Sequence, residues 1–182
     1  ACARRLADET AGAFDITLGS GPDGWHVDAQ GRLHKLAAQA RLDLGGIAKG
    51  YIVDRAVQML REQGATAGWV NAGGDLRAFG AVEVPVLLRD EPNGGARPFA
   101  RLADGAFATS HYGPETRSQL AAPFALRHRT AGGVSGVPES ARHVSVAAPN
   151  CLHADALTKI IALSGDTSHP LLARYGAQAW LH

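Results

Sequence analysis

The stretch Leu42-Asp43-Leu44-Gly45-Gly46-Ile47-Ala48-Lys49-Gly50-Tyr51-Ile52-Val53-Asp54 decides how this 182-residue chain is read. It predicts a strand ending at Asp43, a turn at Gly45-Gly46 and a helix opening near Ile47. Glycines let backbone N–H groups approach a ligand. A helix start adds unpaired N–H groups and the positive end of the helix dipole. Together they make an anion site. Lys49 falls in the first helical turn, within reach of a phosphate, and Asp43 is placed to accept from a ribose or base, or to help hold a metal. The same residues also make an ordinary glycine turn with an Asp–Lys pair, and spacing alone leaves both readings open. The stretch is neither a G-x-x-x-x-G-K-[ST] phosphate loop nor a G-x-G-x-x-G dinucleotide fingerprint.

Outward from there, the helix is predicted over about residues 47–63, with Ile52, Ala56, Met59 and Leu60 as its apolar stripe and Gly64 as its stop. Downstream, residues 68–71 and 82–88 read as strands, separated by the turn Gly73-Gly74 and the segment Asp75-Leu76-Arg77. Residues 90–98 and 130–141 read as loops, and 106–110, 124–126, 143–147 and 177–181 as strands. Asn150 is placed to cap a helix running to about residue 163, with a short helix at 170–175. Upstream, residues 1–12 read as the end of a helix leading into an apolar segment, 19–24 as turns, and 25–36 as a hairpin about Gln30-Gly31. Strands and helices do not alternate cleanly. This predicts one α+β domain over residues 1–182, a mixed or antiparallel sheet packed with helices.

Bulk properties exclude several classes. The formal net charge of +1 gives no electrostatic case for nucleic acid or an anionic membrane surface. No apolar run is long enough to span a bilayer, and the N-terminus as given shows no export signal. Cys2 and Cys151 make neither a disulfide framework nor a zinc motif. Of the 18 basic residues only Lys35, Lys49 and Lys159 are lysine. Lysine is a slim point charge that enters tight polar pockets where the wide arginine fork does not, so two lysines inside motifs are either selected or there by chance.

Two further motifs carry possible chemistry. Asn71-Ala72-Gly73-Gly74-Asp75 is a glycine turn after a strand, ending in an acid; alone it is also a plain hairpin turn. In Ala154-Asp155-Ala156-Leu157-Thr158-Lys159, helical spacing puts Asp155, Thr158 and Lys159 on one face. A carboxylate and a hydroxyl are hard oxygen ligands suited to Mg²⁺, although the same pattern is an ordinary exposed Asp–Lys pair. His111 is a candidate general base for a hydroxyl, or a loop histidine, and His128 is similar.

In order, these pieces resemble the ApbE-type FAD:protein FMN transferases. Thr10-Ala11-Gly12-Ala13-Phe14-Asp15-Ile16-Thr17 resembles that family's T-x-G-A-F-D-x-T. LDLGGIAKGYIVD, VNAGGDLRAFG, Ala108-Thr109-Ser110 and SVAAPNCLHADALTK follow in the family's order, covering most of the chain. The resemblance implies Mg²⁺-dependent cleavage of FAD with transfer of FMN to a threonine of a target flavoprotein, AMP being released. It implies FAD contacts at Ala13, Phe14, Asp15, Asp43, Lys49, Gly73, Gly74, Asp75 and Thr109. It implies a metal held by the Gly46 carbonyl, Asp155 and the segment of Thr158, with Asp155 serving the chemistry. Family members are usually exported, which implies a periplasmic or membrane-anchored protein.

The departures imply an alternative, a non-catalytic FAD-binding paralogue. Only nine residues precede Thr10, where the family carries a sizeable flavin-contacting region, so the N-terminal part of the family domain is expected to be missing. The family's H-x-I-D-P-x-T-G corresponds to residues 126–132 without its Asp-Pro. Many members carry A-D-A-L-S-T, with threonine four residues after the metal Asp; Lys159 stands there instead. It either salt-bridges Asp155 or puts an ammonium where the metal would sit.

Overall fold

The computed structural model describes residues 2–90, 94–112, 128–130, 133–135 and 143–182. Its elements are α1 (Cys2–Glu9), β1 (Trp25–Val27), β2 (Leu33–Lys35), α2 (Ala48–Glu62), β3 (Gly68–Ala72), β4 (Asp75–Phe79), β5 (Glu83–Arg89), β6 (Ala96–Ala103) and β7 (Ala106–His111). They continue with β8 (His128–Thr130), β9 (Gly133–Ser135), β10 (His143–Ala148), α3 (Cys151–Ser164), α4 (Pro170–Arg174) and β11 (Gln178–Leu181).

A five-stranded sheet in the order β11-β10-β7-β4-β3 forms the centre, and every pairing in it is antiparallel. The α+β expectation holds. Side chains alternate between the two faces of a strand. Ala106, Ala108, Val144 and Val146 therefore join one core with α2 and α3, while Leu76 and Phe107 join a second core under the β5–β6 hairpin. Phe99 and Trp180 close that second core, their rings meeting edge-on at 5.4 Å.

Helix α3 lies in the middle of the first core, with most of its residues buried. Its ends are the predicted ones: the Asn150 side chain accepts from His153 N–H at 2.9 Å, and Gly165 takes the left-handed conformation that closes the helix (φ 65°).

Helix α2 buries a different face from the predicted one. Gly50, Val53 and Val57 point inward, whereas Ile52 and Met59 remain 60% and 59% exposed and Leu60 is exposed too. The cause is the closeness of α2 to α3. A Cβ on Gly50 would stand 2.2 Å from the Cys151 carbonyl oxygen and 2.8 Å from Asp155 Cβ. Only glycine permits that approach, so the smallest residue, not the largest, marks the contact face.

Three other expectations change. No strand ends at Asp43; the segment before it is irregular, tied by Asp43 N–H to the Ile16 carbonyl at 2.8 Å. Residues 96–98 of the predicted loop belong to strand β6. Pro98 is tolerated there because it pairs with Leu87 at a register shift. Residues 128–130 and 133–135 form the hairpin β8–β9. The strand predicted at 124–126, and residues 126, 127, 131 and 132 of the block compared with H-x-I-D-P-x-T-G, lie outside the described residues.

Candidate functional site

Helices α2 and α3 meet at their starts and exchange carboxylates there. Asp54 of α2 accepts from the N–H groups of Cys151 and Leu152, both at 2.9 Å, at the N-terminus of α3. Asp155 of α3 accepts from Gly50 N–H at 3.1 Å, in the first turn of α2. Each acid thus meets the positive end of the other helix. At the helix start read from sequence as an anion site, an internal carboxylate takes the Gly50 N–H. The Ala48 N–H is also spent, on the Leu44 carbonyl at 2.8 Å.

Around Asp155 the sequence candidates converge. Asp155 is 0% and Lys159 8% exposed, and the Lys159 ammonium pairs directly with Asp155 Oδ1. The ammonium also donates to Ser110 Oγ at 3.2 Å. Thr158 Oγ1 donates to the Asp155 carbonyl at 2.7 Å and lies 2.8 Å from Ser110 Oγ. Gly46 lies against the Phe14 ring and the Lys159 stem, a Cβ there standing 3.3 Å from Phe14 and 3.6 Å from Lys159.

Asp75 completes the group. It is 1% exposed, with the half-exposed Lys49 ammonium 3.1 Å from its Oδ2. Neither of its oxygens has a hydrogen bond among the described residues. Burial, reinforced by the nearby Asp155 charge, raises its pKa to about 6 against partial relief from Lys49 and Lys159. Burial likewise pushes the Tyr112 hydroxyl up to about 12 and raises the Cys151 thiol.

Asp15 and Asp43 shape the neighbouring turns. Asp15 accepts from Thr17 N–H at 2.7 Å, Thr17 Oγ1 at 2.6 Å and Gly19 N–H at 2.8 Å. Asp43 Oδ1 accepts from Gly45 N–H at 2.8 Å. Ala13 leads directly into buried Phe14.

Gly73, Gly74, Thr109 and His111 are gathered elsewhere. They line a groove of about 770 Å³ on the hairpin side of the sheet, with Asn71 and His143. Along β7 it is Ser110 that turns toward α3, while Thr109 faces away and hydrogen-bonds Ser145 Oγ at 2.9 Å. Only the Gly73-Gly74 turn, running straight into Asp75, adjoins both places. Ser110 was missed from sequence, although its alternation with Ala106 and Ala108 was the available signal. A further concavity of about 690 Å³ opens beside α2 at Arg5, Arg55, Arg61 and Arg77 and holds none of the catalytic, FAD-contacting or metal candidates read from sequence.

The donors beside Asp155 do not fit the expected Mg²⁺. Both Asp155 oxygens are committed, one to a backbone N–H and one to an ammonium, and the ammonium takes the space beside Asp155 that a cation would need. Among the described residues no group of three or more His, Cys, Asp or Glu could hold a metal ion. Nor is any described helix long and apolar enough to cross a membrane.

Comparison with known proteins bears on this arrangement. The family model described as "ApbE family" matches residues 20–181. Among solved structures, the chain resembles an ApbE protein from Thermotoga maritima at 21% identity and TM-score 0.72, over 99% of this chain and 70% of that one. It resembles the apo flavinyl transferase ApbE of Pseudomonas stutzeri at 22% identity and TM-score 0.66, over 98% and 64% of the two chains. It also resembles the flavin transferase ApbE of Vibrio cholerae at 22% and TM-score 0.65, over 88% and 62%. The chain thus spans less than two thirds of the latter two proteins. At these identities the likeness shows the fold. Among curated proteins nothing matches.

Proposed function

This chain belongs to the ApbE family, and from that membership and the geometry at α2 and α3 we propose that it binds FAD and transfers FMN to a threonine hydroxyl of a target flavoprotein. The observation that carries the reading is the convergence of Phe14, Gly46, Lys49, Asp75 and Asp155, from separate stretches of sequence, at one end of the helix pair. The half-exposed Lys49 can meet the pyrophosphate, and the adjoining groove with Thr109 and His111 offers room for the flavin end.

In the reaction, the threonine oxygen bonds to the FMN phosphorus and the P–O bond to AMP breaks. AMP leaves with that electron pair, and the hydroxyl proton passes to solvent, since His111 faces the groove on the other side of the sheet. Fixed positive charge at the leaving phosphate is the kind of help such a displacement needs. No step runs through Mg²⁺.

A second reading is favoured by the Lys159–Asp155 pair: FAD held without turnover. Incubation with FAD and a domain bearing the acceptor threonine separates the two. A covalently fluorescent acceptor band with matching AMP supports transfer; bound FAD without either product supports the carrier.

A further inference from the structure

Two carboxylates and two ammonium groups meet at this end of the helix pair: Asp75 with the half-exposed Lys49, and Asp155 with the buried Lys159. Lys159 neutralises Asp155 without any added ion. A divalent cation beside that pair therefore finds no unpaired carboxylate there to neutralise.

The geometry agrees with the charge count. The Lys159 ammonium is held by Asp155 Oδ1 and by Ser110 Oγ at 3.2 Å, and Ser110 is fixed in turn by Thr158 Oγ1 at 2.8 Å. The stem of Lys159 lies along Gly46. A metal coming to Asp155 would have to expel this ammonium from a site that is 8% exposed, leaving it with one hydroxyl as its partner. Separating a buried ion pair is strongly unfavourable because it leaves a charge without its partner.

Resting on the FAD reading above, we propose that Lys159 is a built-in cation that holds the place of a divalent ion, so this chain binds FAD without divalent metal. The Lys159 side chain passes along Gly46 and ends on Asp155.

Two measurements on the whole chain test this. The first is Mn²⁺ titration followed by electron paramagnetic resonance, with Mn²⁺ alone as the probe. The second is FAD titration followed by flavin fluorescence, in EDTA and in excess Mg²⁺. The expected result is no bound Mn²⁺ and FAD affinity equal within about twofold in both buffers. Stoichiometric Mn²⁺ binding, or FAD affinity at least about tenfold weaker in EDTA, overturns the proposal. FAD binding in neither buffer overturns the FAD reading itself, and the Mn²⁺ titration still decides the cation. Lys159→Thr should gain Mn²⁺ binding while Lys159→Arg should not. A Lys159→Thr protein that folds, by its circular dichroism, and still ignores Mn²⁺ counts against the proposal.

Discussion

Gly50→Ala in α2 sets two effects of known size against each other. In an ordinary helix interior the change stabilises by about 1 kcal/mol, because glycine loses more backbone freedom on folding. Here the new methyl would stand 2.2 Å from the Cys151 carbonyl oxygen, well inside the 3.4 Å at which ordinary contact begins. It would also stand 2.8 Å from Asp155 Cβ. Neither neighbour is the loose end of a side chain, so α2 and α3 must separate. Overpacking of this kind costs about 1–3 kcal/mol, and occasionally more. Separation also stretches the Gly50 N–H bond to Asp155, a bond to a charged acceptor that contributes about 1.5–3 kcal/mol. The balance is a loss of about 2 kcal/mol or more, equivalent to a Tm lower by about 4–8 °C in a chain of this size. Urea unfolding of the variant beside wild type, with equal m-values, measures it. A Gly50→Ala protein as stable as wild type, or more stable, would refute the close helix contact and the site built on it.

Three further outcomes follow from the same contacts. Asp54→Ala removes the acceptor for two N–H groups of α3 and the partner of Arg77, and should destabilise by about 2–4 kcal/mol in chemical denaturation. Asn150→Ala, which removes only the cap on His153 N–H, should cost about 1 kcal/mol in the same assay. Asp75 is protonated more readily folded, at about 6, than unfolded, at 3.8. Its contribution to stability is therefore fullest below pH 3.8 and falls as pH rises to about 6, by at most about 3 kcal/mol. Asp75→Asn should flatten that part of a Tm-against-pH curve; an unchanged slope would count against the buried charge.

What the sequence disclosed follows a physical line. Asn150, Gly64 and the Gly73-Gly74 turn were legible because caps and turns are local: the residue type carries the geometry. The inward face of α2 was not. Apolar spacing picked out Ile52 and Met59, whereas close helix packing selects smallness, and the Gly50 contact depends on α3 a hundred residues away. Strand β6 was obscured by Arg97 and Pro98, which read as loop and are tolerated beside a register shift. At the site, Asp155 and Lys159 have the spacing of any surface ion pair. Only their burial distinguishes them, and burial is a property of the assembled core. The bias toward arginine did leave a trace: two of the three lysines sit against buried carboxylates. Thr109 and His111 were grouped with Asp155 by their order along the chain, yet strand alternation turns them to the opposite face of the sheet from Ser110.

The proposed function puts the FAD phosphates at the α2–α3 end of the sheet, and a crystal structure of the FAD complex tests that placement most directly. The pyrophosphate is expected against Lys49, beside the Gly45-Gly46 turn, with the Lys159–Asp155 pair intact beneath it. A pyrophosphate seated instead in the arginine-lined concavity beside Arg55 and Arg77, out of reach of Lys49, would contradict it.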